Sequence, residues 1–217
     1  TGTGGASPSL FDPNTQSYKP SCLNDLYSAA RLADALPHVQ FFSRSLVAQD
    51  IEDPKNFDLA TAAISLLGTT KHVMVAASEA KHITDIAKLC YEIAGSEENF
   101  RRRPFLSIHA NHIVPPLRIH AETIHVIEAA TNAGIPVHCN VFGQVGASSP
   151  VTLAGSVAQT LAEILAGMAF INVLASDAPR IAGPRPMITD LRTGGMAGGA
   201  GEQVMATSMA VQVLRHW

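Results

Sequence analysis

The sequence predicts an α/β fold of the (β/α)8 TIM-barrel type, with this chain covering roughly five of the βα units. Three observations lead there. Short β-rich segments begin at His38, Lys71, Pro104 and Pro136, separated by 33, 33 and 32 residues, and a helical pattern of three to four turns lies between each pair. The segments are nearly continuous apolar runs, as strands covered on both faces require, so the sheet is read as parallel with right-handed crossovers. An open doubly wound sheet fits the same alternation, but the even period and the lack of an early G-x-G-x-x-G favour the barrel.

The elements follow in order. Residues 1–22 are read as an N-terminal extension or loop, and 1–217 as a single, incomplete barrel domain. "HVQFFSRS" is the first strand. "DPKNFDLATAAISLLG" is the first helix, with Asp53 as N-cap, Pro54 at the first helical position and Gly68 at its end. "KHVMVAAS" and the helix "SEAKHITDIAKLCYEIAG" come next, with Ile83, Ile86, Ala87, Cys90 and Ile93 on one stripe and Gly95 as the stop. "PFLSIHAN" precedes "PPLRIHAETIHVIEAATNAG", read as a third helix ended by Gly134. "PVHCNVFG" then leads through "QVGASS" into "PVTLAGSVAQTLAEILAGMAFINVLAS", where "FINVLAS" is helix or strand by local propensity alone. "PRIAGPRP" is the fifth strand if that helix runs through, and "EQVMATSMAVQVLRHW" is a last helix. Five strands do not close an eight-stranded barrel, and the two ends, Thr1 and Trp217, read as cuts through a longer protein.

Composition narrows the function classes. Apolar residues make up 47% of the chain, enough for a core, and the net charge is −3. The one basic run, Arg101–Arg103, is read as a solvated loop, so neither nucleic acid nor an anionic membrane is expected as a partner. The longest mostly apolar run, Ile164 to Ser176, is too short and interrupted to span a bilayer. Three widely spaced cysteines without a C-x-x-C fit a reducing cytoplasm. The low charge content is compatible with large partner surfaces and with a homo-oligomer.

In parallel α/β folds ligands sit at the carboxyl ends of the strands. That rule selects Ser43 and Arg44, Ser78 and Glu79, Asn111 and His112, Phe142 to Gln144, and the region around Gly183. "VFGQVGASSPVT" is not a P-loop, because no lysine follows its glycines. It reads as a helix start with Ser148 or Ser149 as N-cap and Pro150 at the first position, whose N–H groups face an anion or only their own loop. Phe142 is core, or a wall for a cationic ligand. His109, His112 and His138 invite a metal, although no H-x-H or H-E-x-x-H occurs; a hydrogen-bonded structural histidine is the commoner case. Cys139 is read as a buried packing residue, and Glu163 as either exposed or paired to a buried partner, a polar residue on a helix face being the commoner case.

Three segments together resemble the trimethylamine:corrinoid methyltransferase family. They are "GASSPVTLAGSVAQTLAEILAG" (146–167), "VPPLRI" (114–119) and "MITDLRTG" (187–194). The family's Gly-Ala-Thr-Gly-Pro-Val-Thr-Leu-Ala-Gly run is matched with Ser148 and Ser149 in place of Thr-Gly. Its Ala-Glu-Val-Leu-Ala-Gly run is matched at Ala162, Glu163, Leu165, Ala166 and Gly167, and its Met-Asp-Met-Arg-Thr-Gly run more loosely around Asp190 and Arg192. The resemblance implies a TIM barrel longer than this chain, a helical "FINVLAS", and a pyrrolysine or ordinary residue at a position beyond Trp217. It further implies transfer of a methyl group from a quaternary or tertiary methylamine, of trimethylamine or glycine-betaine type, to the Co(I) of a partner corrinoid protein. No cofactor would be bound directly by this chain and no metal is expected in it. Asn111, His112, Phe142, Gln144, Ser149 and Asp190 are the candidate substrate-binding residues, with no catalytic residue assigned. A substrate carboxylate could use the N–H groups of Ser149 to Val151. Two alternatives stay open: a metal-dependent barrel hydrolase using His109, His112 and His138, and a non-catalytic barrel fragment.

Overall fold

The computed structural model describes residues 2–216; Thr1 and Trp217, the ends singled out above, lie outside the described residues. The chain divides into two compact units. The first comprises the residues up to His109 with Asn132–Pro136, and the second comprises Ala110–Thr131 with the residues from Val137 onward.

The first unit opens with the antiparallel hairpin β1 (Ser9–Asp12) and β2 (Ser17–Pro20). There follow α1 (Leu23–Ala35), β3 (Phe41–Ser43), α2 (Pro54–Gly68), β4 (His72–Val75), α3 (Ala80–Ala94), α4 (Glu97–Arg102) and β5 (Leu106–Ala110). β3, β4 and β5 are parallel neighbours in chain order, with Phe41 opposite His72 and Val73 opposite Leu106. Helix ends obey local chemistry. The Asp53 carboxylate accepts from the Asn56 N–H at 2.8 Å ahead of Pro54, and Gly95 closes α3 at φ +82°, a conformation that costs glycine nothing. Strand alternation then sends Phe42, Val73, Val75, Leu106 and Ile108 into the core, where Phe42 meets Leu26, Ala30 and Ala33 of α1. Two readings differ here. Ile93 is 54% exposed, one turn beyond where the α3 stripe leaves the core. Arg101 and Arg102 form the last turn of α4, capped by Ser96, so the basic run is an exposed helix end whose charge suits the dipole.

The second unit contains β6 (Ile113–Val114), β7 (Arg118–Ile119), α5 (Ala121–Asn132), β8 (Val137–Val141), β9 (Gln144–Val145), α6 (Leu153–Leu174), β10 (Arg180–Pro184), β11 (Met187–Ile188) and α7 (Gly201–Leu214). "PPLRI" is not the first turn of a helix. β6 and β7 pair as an antiparallel hairpin around it, because Leu117 takes φ +55° and its N–H leaves the helical path to donate to Glu163 Oε1 at 2.7 Å. α6 runs unbroken through "FINVL", and "RIAGP" is the next strand, parallel to β8 with Gly183 opposite Asn140. The ladder continues past both strands: the Arg185 N–H donates to Val141 O (3.1 Å), the Met187 N–H to Gly143 O (2.8 Å), and β9 pairs in parallel with β11.

By length and composition α6 could cross a bilayer, a longer helix than the apolar run read in the sequence. Within its unit, however, it packs on β8, β10 and α7, and it buries the polar side chains of Ser156, Thr160 and Glu163 along with Val157, Leu161 and Ile164. It is the core helix of the second unit. Each unit thus shows the α/β strand–helix alternation with parallel strands adjacent in chain order, as expected of successive βα units.

Candidate functional site

The strand-end candidates of the second unit lie on one ladder. Asn140 and Phe142 share a face of the β8 chain by strand alternation, and the β8–β10 register brings Gly183 and Arg185 beside them. The Asn140 amide donates to Asn111 Oδ1 at 2.8 Å, while the fully buried Asn140 Oδ1 has no hydrogen-bond partner among the described residues. The Arg185 guanidinium carbon stands 4.6 Å from the Phe142 ring centroid. Half-buried, it has its pKa pulled down by desolvation, yet a guanidinium stays charged throughout the physiological range. The face of Phe142 read as a wall for a cationic ligand therefore already carries a cation of the chain itself.

The other predicted residues do not converge there. His112 is buried, with Nε2 at 2.8 Å from the carbonyl of Glu163. A carbonyl only accepts, so Nε2 carries a proton, and the buried Nδ1 has no partner among the described residues. Gly167 makes that packing fit: a Cβ there would overlap the imidazole. Among the described residues no group of three or more His, Cys, Asp or Glu side chains could hold a metal, so His109, His112 and His138 do not form a ligand set.

Ser149 is buried in its own loop. Its hydroxyl pairs with that of Ser156 at 2.7 Å under α6, and its N–H, with those of Ala147 and Ser148, donates to Gln144 O. Pro150 has no N–H, so the proposed anion site at 149–151 keeps only the Val151 donor. The N-cap of α6 is Thr152, whose hydroxyl accepts from Gly155 N–H at 3.3 Å, not Ser148 or Ser149. The loop "GQVGASS" holds its own backbone. Asp190 likewise serves its loop. It accepts from the Arg192 N–H (2.9 Å) and Nε (3.3 Å), and these bonds hold its carboxyl below the usual range. Gln144 lies in β9, its backbone consumed by that turn.

For Glu163 the structure takes the buried, paired alternative over the exposed helix face. It is 2% exposed, and its Oε1 accepts from Leu117 N–H and from Gln159 Nε2 at 3.1 Å, tying the β6–β7 hairpin to α6.

The first unit holds a second polar cluster that the sequence reading missed. Asp58 Oδ2 accepts from the Ser78 N–H (2.7 Å), the Ser78 hydroxyl (2.6 Å) and His82 Nδ1 (2.8 Å), and both Asp58 and His82 are buried. Arg44, over the Phe57 ring at 5.2 Å, has its pKa lowered by burial and raised in part by the Asp58 charge. Ser43, Arg44, Ser78 and Glu79 were legible as strand-end positions. Asp58, one turn into α2, carries no local signal of its partners 20 and 24 residues away.

Comparison with known proteins gives these features a context. The sequence model of the family described as "Trimethylamine methyltransferase (MTTB)" matches residues 2–217. The trimethylamine methyltransferase MttB of Desulfitobacterium hafniense (strain DSM 10664 / DCB-2) is 29% identical over 190 residues, covering 87% of this chain and 38% of that protein. Its counterpart in Methanosarcina barkeri is 29% identical over 175 residues, covering 78% and 34%. The glycine betaine methyltransferase of Desulfitobacterium hafniense (strain Y51) is 24% identical over 202 residues, covering 93% and 42%. This chain spans less than half the length of each of these relatives. The match along the whole described chain means that the protein belongs to the trimethylamine methyltransferase family.

Proposed function

We propose that the protein takes part in methyl transfer from a quaternary or tertiary methylamine to the Co(I) of a partner corrinoid protein, as five βα units of a closed (β/α)8 barrel. The single observation that carries this reading is the family match over residues 2–217, with named relatives acting on trimethylamine and on glycine betaine. The chemistry of the strand ends supports it. A quaternary amine is already an activated leaving group, so the chain need supply position and charge rather than a proton relay. In the transfer the N–CH3 bond breaks, its electron pair leaves with the product amine, and the methyl carbon passes to the electron pair of the cobalt. The acceptor is a co-substrate on a separate protein, and this chain's residues act on the methyl donor. Asn111 and Asn140 would orient the donor at the ends of β5 and β8. The reading places the protein in the cytoplasm, which its free Cys22, Cys90 and Cys139 support.

The test is to mix purified full-length protein, Co(I) corrinoid protein and a panel of methylamines, and to follow the cobalt absorption. A methyl-cobalt band with at least one donor is expected; none with any donor refutes the reading.

A further inference from the structure

We propose that the cavity walled by α5, α6 and the β6–β7 hairpin is a binding site for a small uncharged apolar molecule, about the size of one substituted aromatic ring. This goes beyond the methyl-transfer reading, because the ligand belongs to a different chemical class from the methyl donor and sits apart from the Asn140 and Arg185 ladder.

Size and shape come first. The cavity holds about 210 Å³ and lies wholly within the second unit. His112 and Ile119 line it from the base of the hairpin, Ile124 from α5, and Ala166, Gly167 and Phe170 from α6. Its closed end is made by His112 and Gly167, both buried, and the missing Cβ of Gly167 lets the ring and the helix meet. Ile119, 61% exposed, and the exposed Ala166 stand at its open end. The walls are pinned before any ligand arrives. The Leu117 N–H holds the hairpin to Glu163 Oε1 at 2.7 Å, the His120 N–H closes its base on the His112 carbonyl at 2.9 Å, and His112 Nε2 is fixed on the Glu163 carbonyl. A pre-formed apolar cavity of about 150 Å³ admits a benzene ring, so this one has room for a ring and a substituent.

The chemistry of the wall then selects the ligand. Ala166, Gly167 and Phe170 lie inside the unbroken α6, where backbone N–H and C=O groups are consumed by the helix ladder. His112 has spent Nε2 on the Glu163 carbonyl, and its Nδ1 is enclosed, so the ring shows the cavity its carbon edge. Ile119, Ile124 and the Phe170 ring complete a wall that is almost wholly carbon. A charged group entering here gives up its hydration and meets no partner, which excludes methylammonium ions and betaines alike. An uncharged hydrocarbon surface loses no hydrogen bond, leaves water, and gains dispersion contacts on several sides.

The experiment titrates the full-length protein with toluene by calorimetry, with benzylammonium and benzoate as charged analogues of the same ring. Toluene is expected to bind one to one, and each charged analogue about ten-fold more weakly or worse. Ala166→Leu on α6 and Ile119→Phe on the hairpin, both at exposed positions that the core does not depend on, should each fill the cavity and weaken toluene by about ten-fold. Val173→Ala, on the same helix but outside the wall and 84% exposed, should leave toluene binding unchanged. Circular dichroism establishes that each variant is folded. Three results overturn the proposal: no toluene binding by the wild type, charged analogues that bind as tightly as toluene, or unchanged toluene affinity in a folded Ala166→Leu or Ile119→Phe protein.

Discussion

Gly167→Ala should destabilise the protein although the same change in most helices stabilises it. Gly167 lies in the interior of α6, where alanine gains about 1 kcal/mol over glycine. Opposing this, the new Cβ would overlap the imidazole of His112, with Cδ2 only 2.7 Å and Cε1 2.8 Å away. Forcing atoms into a filled site costs about 1–3 kcal/mol. Displacing the ring also breaks its 2.8 Å bond to the Glu163 carbonyl, and a buried polar group left unpaired costs about 1–3 kcal/mol. A cavity of about 210 Å³ lined by His112, Ile119, Ile124 and Phe170 gives the ring somewhere to go, which favours the lower end. The net is a loss of about 1–5 kcal/mol, nearer its lower end. The diagnostic step is the background His112→Ala, where the obstacle is gone and Gly167→Ala should be neutral to stabilising by about 1 kcal/mol. Urea unfolding followed by circular dichroism gives all four midpoints of the cycle, and a coupling of about 3 kcal/mol is expected. A Gly167→Ala effect of the same sign and size in both backgrounds would refute the packing account.

Other perturbations probe the first unit and the thiols. Asp58→Ala strips three donors of one buried acceptor and should cost about 3–5 kcal/mol in urea unfolding, with hydrogen exchange rising first at the start of α3; a loss under 1 kcal/mol contradicts the view that these bonds hold the start of α3 to α2. His72 has its pKa lowered by burial, partly offset by its bond to the Pro104 carbonyl, so the unfolded chain binds its proton more readily. Stability should fall as pH drops below about 6.5 and level off once the folded value is passed, a component that His72→Gln removes; identical pH profiles for both proteins argue against it. Burial pushes the Cys90 and Cys139 thiols up to about 12, whereas Cys22 is half-exposed at the start of α1. A thiol-specific reagent at neutral pH should find one fast site in the native protein and three in denaturant.

What was readable in the sequence was local. Asp53 and Pro54 announce α2 and Gly95 ends α3 because caps are settled within four residues, and the strand spacing survives as β3, β4, β5 and β8. The unbroken α6 was not decided by propensity, since Ile171 and Val173 pull toward strand; it followed from the family likeness. The misreadings share a cause. Leu117 leaves the helical path for a carboxylate 46 residues away, and Ser149 turns to Ser156 rather than capping the helix. The strand-end rule pointed to Asn111 and Phe142 but to neither of the side chains they touch. Asn140 and Arg185 are defined by register across β8 and β10, and nothing in either segment alone reveals that register.

The paired continuation of β8 and β10 into β9 and β11 constrains how such a site can change over time. Loops that follow strands usually vary by gaining or losing residues. Here the segments after Val141 and Pro184 are stitched to each other by Met187 to Gly143 and Thr189 to Val145, so an insertion in one would throw its partner out of step. Diversification at this rim is therefore channelled into exchanging side chains on a backbone of fixed length. Relatives should differ here in residue identity at positions such as 142 and 185 while keeping the spacing between them.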